Sequence, residues 1–131
     1  MSGDLWALLP CAGMGVRAVS AQAQATNPGL PKQYQPVAGQ PMVLHTLAAF
    51  AGVARLRGTL VAVAPGDHFL QGYANPSFFS VECGGPTRAD TVLGGLRALM
   101  ARGAQAHDWV LVHDAARCLV TSAQIDALID A

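Results

Sequence analysis

Four short apolar runs are distributed along the chain and predict buried β-strands. Residues 5–10, 59–64 and 109–112 are almost continuously apolar, which is typical of strands covered on both faces of a sheet. Residues 78–82 are predicted as a further strand, whereas residues 67–75 show no clear pattern. Small residues, glycine or proline follow the first three strands, so each of these strands is expected to end at a turn.

A helix is predicted over residues 41–51. Pro41 suits the first helical position, and Gly52 lies where a glycine often follows a helix. His45 lies inside this helix, and we interpret it as a packing or hydrogen-bonding residue rather than a catalyst. The apolar stripe expected to face the core consists of Val43, Leu44, Leu47, Ala48 and Phe50.

Two further helices are predicted from capping boxes, in which a threonine is followed three residues later by an acid or an amide. Thr87 and Asp90 begin a helix that runs to about residue 102. Thr121 and Gln124 begin a last helix that continues to residue 131. The buried face of the helix after Thr87 is expected to contain Ala89, Val92, Leu93, Leu96 and Leu99 or Met100.

The alternation of strands and helices indicates an α/β fold. It predicts a Rossmann-like, parallel or mostly parallel sheet with helices on both faces. Ligands of such sheets bind at the carboxyl ends of the strands. Three segments are expected to meet there: the glycine loop after the first strand, residues 84–85 after the third, and residues 113–117 after the fourth. No repeat or linker is found, so we expect a single domain over residues 1–131.

The amino-acid composition is typical of a single folded domain without a nucleic-acid or membrane partner. Of the 131 residues, 52% are hydrophobic and 12% are charged, so one folded domain is expected. Eight basic residues balance eight acidic ones, which predicts no nucleic-acid or membrane partner and requires any anion site to be local. Cys11, Cys83 and Cys118 are widely spaced and predict reduced thiols in a cytoplasmic protein. No signal peptide is predicted, and no apolar stretch approaches the roughly 20 residues of a membrane span.

Residues 8–34 carry the strongest candidate for binding chemistry. Gly13 and Gly15 would let backbone N–H groups approach a ligand closely, because they have no Cβ. Arg17 and Lys32 place two cations on the same loop and indicate an anionic ligand. We interpret this segment as a phosphate-binding loop that closes over a nucleotide. A strand-to-helix turn with solvated basic residues is the alternative, and local sequence alone does not separate the two.

Two other phosphate-binding classes fit the loop less well. The chain has no GxxxxGK[ST] motif, which excludes a P-loop nucleoside triphosphatase. Gly13, Gly15 and Ala18 match the dinucleotide pattern GxGxx[GA], but no acid lies between Asp4 and Asp67 to hold a ribose hydroxyl. A loop also stands where that pattern needs a helix. A nicotinamide-dependent oxidoreductase is therefore disfavoured.

Asp114 and Arg117 follow the last predicted strand. A carboxylate beside a phosphate site is a natural Mg²⁺ ligand, because Mg²⁺ prefers oxygen donors and bridges to phosphates. A turn aspartate is the alternative for Asp114, and Arg117 could hold a second phosphate or form a surface salt bridge. His107 and His113 have no third ligand at a suitable spacing, so a zinc site is not expected.

Five motifs in order resemble those of the 2-C-methyl-D-erythritol 4-phosphate cytidylyltransferase family: LLPCAGMGVR, PKQY, PGD, GGPTRADTVLGGL and WVLVHDAAR. The resemblance implies a Rossmann-like fold of the nucleotidyltransferase type. It also implies an enzyme that transfers CMP from CTP to 2-C-methyl-D-erythritol 4-phosphate, releasing pyrophosphate, in non-mevalonate isoprenoid biosynthesis. The substrate phosphate oxygen would attack the α-phosphorus of CTP, with Mg²⁺ or another divalent cation as cofactor.

The resemblance implies a role for each matching residue. Arg17 and Lys32 would stabilise the pentacoordinate transition state, Asp114 would bind the metal, and Arg117 would contact the methylerythritol phosphate. The nucleotide-binding residues would form the phosphate loop or recognise cytosine and ribose. They are Pro10, Cys11, Ala12, Gly13 and Gly15 for the loop, and Gly85, Arg88 and Thr91 for cytosine and ribose.

The chain departs from the family pattern in several places. Cys11 replaces a frequent alanine, Thr91 a serine and Cys118 a proline, and the loop between Arg17 and Lys32 is longer than usual. The family's chains are also much longer. We therefore expect a domain incomplete at its C-terminal side, weak CTP binding, poor turnover, and a homodimer only where the missing part is present. The alternatives are transfer to another polyol phosphate, such as ribitol 5-phosphate, and a non-catalytic nucleotide-binding fragment.

Overall fold

Strands and helices alternate along the chain as predicted. The computed structural model describes residues 4–12, 32–73, 78–115 and 119–130. Its strands are β1 (Leu5–Cys11), β2 (Pro36–Val37), β3 (Gln40–Pro41), β4 (Leu56–Val63), β5 (Phe79–Val81) and β6 (Trp109–Val112). Its helices are α1 (Met42–Ala51), α2 (Arg88–Ala101) and α3 (Ser122–Asp130), with 3-10 turns at Lys32–Tyr34 and Phe69–Tyr73.

Four parallel strands make up the main sheet, in the order β5–β4–β1–β6. β1 lies between two neighbours, since Ala7 is in register with Thr59 of β4 and with Leu111 of β6. β2 and β3 form a separate antiparallel hairpin that leads directly into α1. The parallel, Rossmann-like sheet is therefore confirmed.

Alternate residues of β1 face two separate cores. Ala7, Leu9 and Cys11 belong to the core that α1 and α3 cover, whereas Trp6 and Leu8 belong to the core that α2 covers. All five are buried, so both faces of the strand must be apolar, which explains the continuous apolar run in the sequence. Helices cover both faces of the sheet, as predicted.

Helix α1 buries its predicted stripe with one exception. Ala48 is exposed, Leu44 is partly buried, and Thr46 is buried instead. The Thr46 hydroxyl is satisfied in the core because it donates to the carbonyl oxygen of Ala115 at 3.0 Å. The predicted residues that are fully buried are Val43, Leu47 and Phe50.

The two ends of α1 differ from the expected arrangement. Pro41 has an extended backbone (φ −55°, ψ 143°) and precedes the first helical residue instead of occupying it. Gly52 has right-handed angles (φ −78°, ψ −2°), so it is not a left-handed cap. A Cβ on Gly52 would overlap the hydroxyl of Ser122, which donates to the Ala49 carbonyl at 2.5 Å. Gly52 therefore allows α3 to approach the end of α1.

Helix α2 begins as predicted and buries only part of its predicted face. The Thr87 side chain caps it by accepting from the Asp90 N–H at 3.1 Å. Gly94 and Gly95 face the sheet at close range: a Cβ on Gly94 would overlap the Cys83 carbonyl oxygen, and one on Gly95 would overlap the Leu8 side chain. The most buried positions are Thr91, Gly95 and Leu99, and the predicted core residues Val92 and Leu96 pack beside them. The predicted core positions that are exposed are Ala89, Leu93 and Met100.

Strand β6 is less buried than the sequence predicts. Trp109 is 58% exposed and Val112 is also exposed, because among the described strands β6 pairs only with β1 and forms an edge of the sheet. The apolar run therefore identified the strand correctly, but its burial on both faces was wrong.

Helix α3 starts at the predicted capping box. Thr121 and Gln124 exchange two hydrogen bonds, since the Gln124 N–H donates to the Thr121 hydroxyl at 3.1 Å and the Thr121 N–H donates to the Gln124 side chain at 3.0 Å. Arg55 then joins the helix to the start of β4 through Asp126 at 2.9 Å and Asp130 at 2.7 Å. Across the described ranges, no helix has the length and apolarity needed to cross a membrane.

The contact between α2 and the sheet predicts that replacing a helical glycine by alanine will destabilise the protein. A Gly→Ala change in an exposed helix normally stabilises by about 1 kcal/mol. Gly94→Ala should instead lower the free energy of unfolding by about 1–3 kcal/mol, because the new methyl group meets the Cys83 carbonyl. Urea denaturation followed by circular dichroism measures this, with Gly72→Ala as a control at a glycine with open space around it. A stabilised Gly94→Ala variant would contradict the close contact.

The hydrogen bonds of Asp108 predict how the free energy of unfolding depends on pH under acidic conditions. Its carboxylate accepts from the Gln105 N–H, the Asp4 N–H and the Trp6 indole, and these bonds lower its pKa from 3.8 to about 2. A carboxylate with a lowered folded-state pKa stabilises fully above pH 3.8 and loses that contribution as pH falls towards 2. The stability difference between wild type and Asp108→Asn should therefore shrink across this window in urea titrations. A pH-independent difference would contradict this assignment.

Candidate functional site

Three described parts of the chain meet at one edge of the sheet: Ala12 at the end of β1, the loop at Gly84, and residues 113–115 after β6. The Gly84 N–H donates to the carbonyl oxygen of Val63, the last residue of β4, at 2.9 Å. A Cβ on Gly84 would overlap the Ala12 side chain, so this loop lies directly against the end of β1. The His113 N–H donates to the Leu8 carbonyl at 3.0 Å, which places the segment after β6 beside the same strand.

The loop between β5 and α2 is held in shape by Thr91. Its side chain is buried, with the residue 2% exposed. The hydroxyl accepts from the Gly85 N–H at 3.1 Å and lies within donating distance of the Thr87 carbonyl at 3.0 Å and the Gly85 carbonyl at 3.3 Å. Because these partners occupy the hydroxyl, Thr91 shapes the loop, and direct contact between Thr91 and a base or ribose stays a prediction.

Gly85 and Arg88 lie at the start of α2. A Cβ on Gly85 would overlap the Asp90 side chain, so a larger residue would push the loop away from the helix. Arg88 is the first residue of α2 and is exposed. Both residues that were predicted to recognise the nucleotide therefore lie beside the segment that contacts the end of β1.

Asp114 is partly buried at the same edge, directly after β6 and His113. The next residue is fixed by the Thr46 hydroxyl, which donates to the Ala115 carbonyl. The His113 ring packs edge-on against Phe50, with 5.3 Å between ring centroids. Burial is the main cause that raises the pKa of the Cys11 thiol, and the negative charge of Asp114 adds a smaller part, so this carboxylate lies within electrostatic range of the end of β1.

Asp114 offers one carboxylate ligand to a hard cation such as Mg²⁺. In the ranges that the structure describes, no cluster of three His, Cys, Asp or Glu side chains could hold a metal ion. Mg²⁺ is commonly bound through one or two carboxylates while water and substrate phosphates complete its coordination. Asp114 therefore suits a cation that arrives together with a phosphate ligand better than a cation held by protein alone.

Cys11 is a buried thiol and not a nucleophile. Burial is the main cause that raises its pKa to about 12, so it stays protonated near neutral pH. Cys83 is partly buried, and burial raises its pKa as well. The prediction of reduced core thiols is consistent with both residues, while Cys118 lies outside the described residues.

Several predicted site residues cannot be placed against this edge. Gly13, Gly15, Arg17 and Arg117 lie outside the described residues. The backbone of Lys32 is described and begins the first 3-10 turn, but its side chain lies outside the description. Their assigned roles in phosphate and substrate binding stay predictions.

Buried polar residues next to Lys32 were not singled out from the sequence. Gln33 and Tyr34 are buried and hydrogen-bond to Cys11 and Asp67, at the ends of β1 and β4. The only signal for them was their presence in the motifs PKQY and PGD. His45 was interpreted correctly, since its Nε2 lies 2.5 Å from the Val37 carbonyl oxygen and it acts as a hydrogen-bonding residue.

Known proteins match this chain over almost its whole length. The family model described as 2-C-methyl-D-erythritol 4-phosphate cytidylyltransferase matches residues 5–131. A bifunctional IspD/IspF enzyme of Albidiferax ferrireducens is 59% identical over 96% of this chain and 29% of its own length. A 2-C-methyl-D-erythritol 4-phosphate cytidylyltransferase of Paraburkholderia phymatum is 44% identical over 100% of this chain and 53% of its own length. The chain thus spans about half or less of these curated relatives.

Solved structures share the fold. A crystal structure of 4-diphosphocytidyl-2C-methyl-D-erythritol synthase superposes with a TM-score of 0.77 and 31% identity, covering 99% of this chain and 54% of that chain. A nucleotidyl transferase from Methanothermobacter thermautotroptrophicus superposes with a TM-score of 0.67 at 17% identity, covering 97% of this chain and 57% of its own. The more distant similarity shows the fold alone, which agrees with the predicted nucleotidyltransferase type.

The Thr91 contacts predict a difference between two substitutions. Thr91→Val removes the acceptor of the buried Gly85 N–H and should lower the free energy of unfolding by about 1–3 kcal/mol. Thr91→Ser keeps the hydroxyl and should lose only about 1 kcal/mol, the contribution of one buried methyl group. Hydrogen exchange of the Gly85 amide, measured by NMR, should become fast in Thr91→Val and stay slow in Thr91→Ser. Equal protection in both variants would show that Thr91 does not hold the loop.

Proposed function

Because the chain belongs to the 2-C-methyl-D-erythritol 4-phosphate cytidylyltransferase family, we propose that it takes part in transfer of CMP from CTP to 2-C-methyl-D-erythritol 4-phosphate. Pyrophosphate is released. Since the chain spans 53% of the Paraburkholderia phymatum relative, the activity of the whole enzyme is proposed here for the protein to which this segment corresponds. The acceptor is assigned on the family match.

One contact supports the proposal most strongly. Gly84 lies so close to Ala12 at the end of β1 that no side chain fits between them. This contact creates a wall of backbone groups at the carboxyl edge of a parallel sheet, where nucleotides bind in such folds. The partly buried carboxylate of Asp114 lies at the same edge. Closely packed backbone groups beside the Asp114 carboxylate suit a nucleotide whose phosphates bind together with a metal ion.

The proposed reaction needs positioned charge more than covalent help. The phosphate oxygen of the acceptor attacks the α-phosphorus of CTP, a new P–O bond forms, and the bond to the β-phosphate oxygen breaks as pyrophosphate leaves. The attacking phosphate is already anionic near neutral pH and needs no general base. Arg17 and Lys32 would stabilise the charge that develops on the phosphoryl oxygens. The protonated Cys11 thiol at the same edge would take no covalent part.

Mg²⁺ is proposed as the cofactor, with Asp114 as its protein ligand and the nucleotide phosphates as the remaining oxygen donors. The ion would neutralise phosphate charge and orient the triphosphate. Arg117 would hold the acceptor phosphate, and Arg88 with Gly85 would recognise the cytidine. A cytoplasmic location is also proposed, together with a homodimer for a protein in which the C-terminal part of the family's chain is present. The raised pKa of Cys11 and Cys83 supports reduced thiols.

Calorimetric titration tests the proposed ligand. The chain should bind CTP in the presence of Mg²⁺ and should bind ATP and NAD⁺ more weakly. Lys32→Ala should weaken CTP binding by about 10- to 100-fold, the range for loss of a charged hydrogen bond. Arg57→Ala is the matched control, because it also removes one cation but lies at the amino end of β4.

Asp114→Asn should abolish the dependence of CTP affinity on Mg²⁺ in the same titrations. Binding of NAD⁺ without binding of CTP would contradict the proposed function and favour a dinucleotide site. Equal weakening by Lys32→Ala and Arg57→Ala would contradict a specific role for the Lys32 ammonium group.

A further inference from the structure

A partly buried hydrogen bond joins two loops at the carboxyl edge of the sheet. The Tyr34 hydroxyl donates to Oδ2 of Asp67 at 2.5 Å, and the tyrosine is 3% exposed. The thiol of Cys11 lies 3.6 Å from the same phenol oxygen. Burial is the main cause that raises the pKa of Tyr34, so the phenol stays protonated and remains a donor.

The Asp67 end of this bond is rigidly held. Its Oδ1 accepts from the Phe69 N–H at 3.0 Å, and its own N–H donates to the Ala64 carbonyl at 3.0 Å. The Phe69 ring stacks on Tyr34 with 4.0 Å between ring centroids and 14° between the ring planes. Asp67 thus belongs to a fixed turn that follows β4 and can act as an anchor for Tyr34.

The other end of the bond belongs to the turn that begins at Lys32. Gln33 makes a second attachment from that turn, because its side-chain amide donates to the Cys11 carbonyl at 3.2 Å. Gln33 is buried, and Cys11 is the last residue of β1. Two consecutive side chains directly after Lys32 therefore attach this turn to the ends of the two central strands, β1 and β4.

We propose that Tyr34, Asp67 and Gln33 are positioning residues, which fix the backbone at Lys32 beside the end of β1 and so determine where its ammonium group meets the nucleotide triphosphate. This inference rests on the proposed function. Stabilisation of a transferring phosphoryl group requires a charge placed in advance, and a displacement of about 1 Å can cost a large part of the rate. A long flexible lysine gains that placement from a fixed backbone.

The chain offers a direct test, because Lys32 is its only lysine. Reductive methylation with carbon-13 formaldehyde keeps the positive charge and labels only Lys32 and the α-amino group, which serves as an internal reference. The NMR signal of labelled Lys32 then reports its environment without any need for turnover. Saturating CTP with Mg²⁺ should shift this signal in the wild-type chain.

Tyr34→Phe removes the hydroxyl and keeps the ring. In the nucleotide-free protein, we expect the Lys32 signal of Tyr34→Phe to move towards its position in the urea-unfolded chain. The affinity for CTP with Mg²⁺ should fall by about 2- to 10-fold, the range expected for one lost hydrogen bond. Asp67→Ala should move the signal in the same direction, and adding Tyr34→Phe to it should change little, because the bond between the two side chains is already lost.

Tyr73→Phe is the matched control. It removes the hydroxyl of the other tyrosine, which also packs near Phe69 but is largely exposed. This variant should leave the Lys32 signal and the CTP affinity unchanged. A folded Tyr34→Phe variant with a wild-type Lys32 signal and wild-type affinity would overturn the proposal. If Tyr34→Phe does not fold, Asp67→Ala, which removes both oxygen acceptors, decides it by the same two measurements.

Different results would contradict the proposed function and the positioning role of Tyr34. A wild-type chain that binds no CTP would contradict the proposed function, while the Lys32 signal of nucleotide-free Tyr34→Phe would still decide whether Tyr34 positions the turn. A wild-type chain that binds CTP, together with an unmoved signal in Tyr34→Phe, would overturn the positioning role and leave the proposed function intact.

Discussion

The burial of β1 on both of its faces is the constraint on which the rest of the structure depends. Ala7, Leu8 and Leu9 have no exposed surface, and successive residues of this one strand belong to two different cores. Helices must therefore cover both faces, and both edges of the strand are hydrogen-bonded, to β4 and to β6. A strand in this position cannot carry unpaired polar groups along its length, so polar side chains gather at its two ends: Asp108 at the amino end, and Gln33 and Asp114 at the carboxyl end.

At that end the shape of the site depends on how closely backbone segments approach one another. Gly84 lies against Ala12, and Gly94 brings α2 against the Cys83 carbonyl. Each approach requires a residue without a Cβ, and each lines the edge of the sheet with backbone groups. Thr91 then fixes the same loop by hydrogen bonds to Gly85. These close approaches and hydrogen bonds hold the loop against the carboxyl end of β1.

The buried polar residues at this edge of the sheet are satisfied by one another. A buried polar group destabilises the folded state unless it has a hydrogen-bond partner. Each donor in this cluster must therefore lie opposite an acceptor. Tyr34 donates to Asp67, Gln33 donates to the Cys11 carbonyl, and the Phe69 N–H occupies the second Asp67 oxygen. The network ties loops from two strands into one unit. It explains why residues with no direct chemistry of their own accompany Lys32 in its motif.

The sequence by itself determined the types of element, the parallel sheet and the helix starts at Thr87 and Thr121, because apolar periodicity and caps are local properties. It also indicated the edge where Ala12, Gly85 and Asp114 lie, since the carboxyl ends of parallel strands share one edge. Only the tertiary structure decided which face of α2 is buried, because an apolar stripe does not report how closely glycines let a helix approach a sheet. It likewise decided that Tyr34 meets Asp67, 33 positions away, since that contact depends on the order of the strands in the sheet.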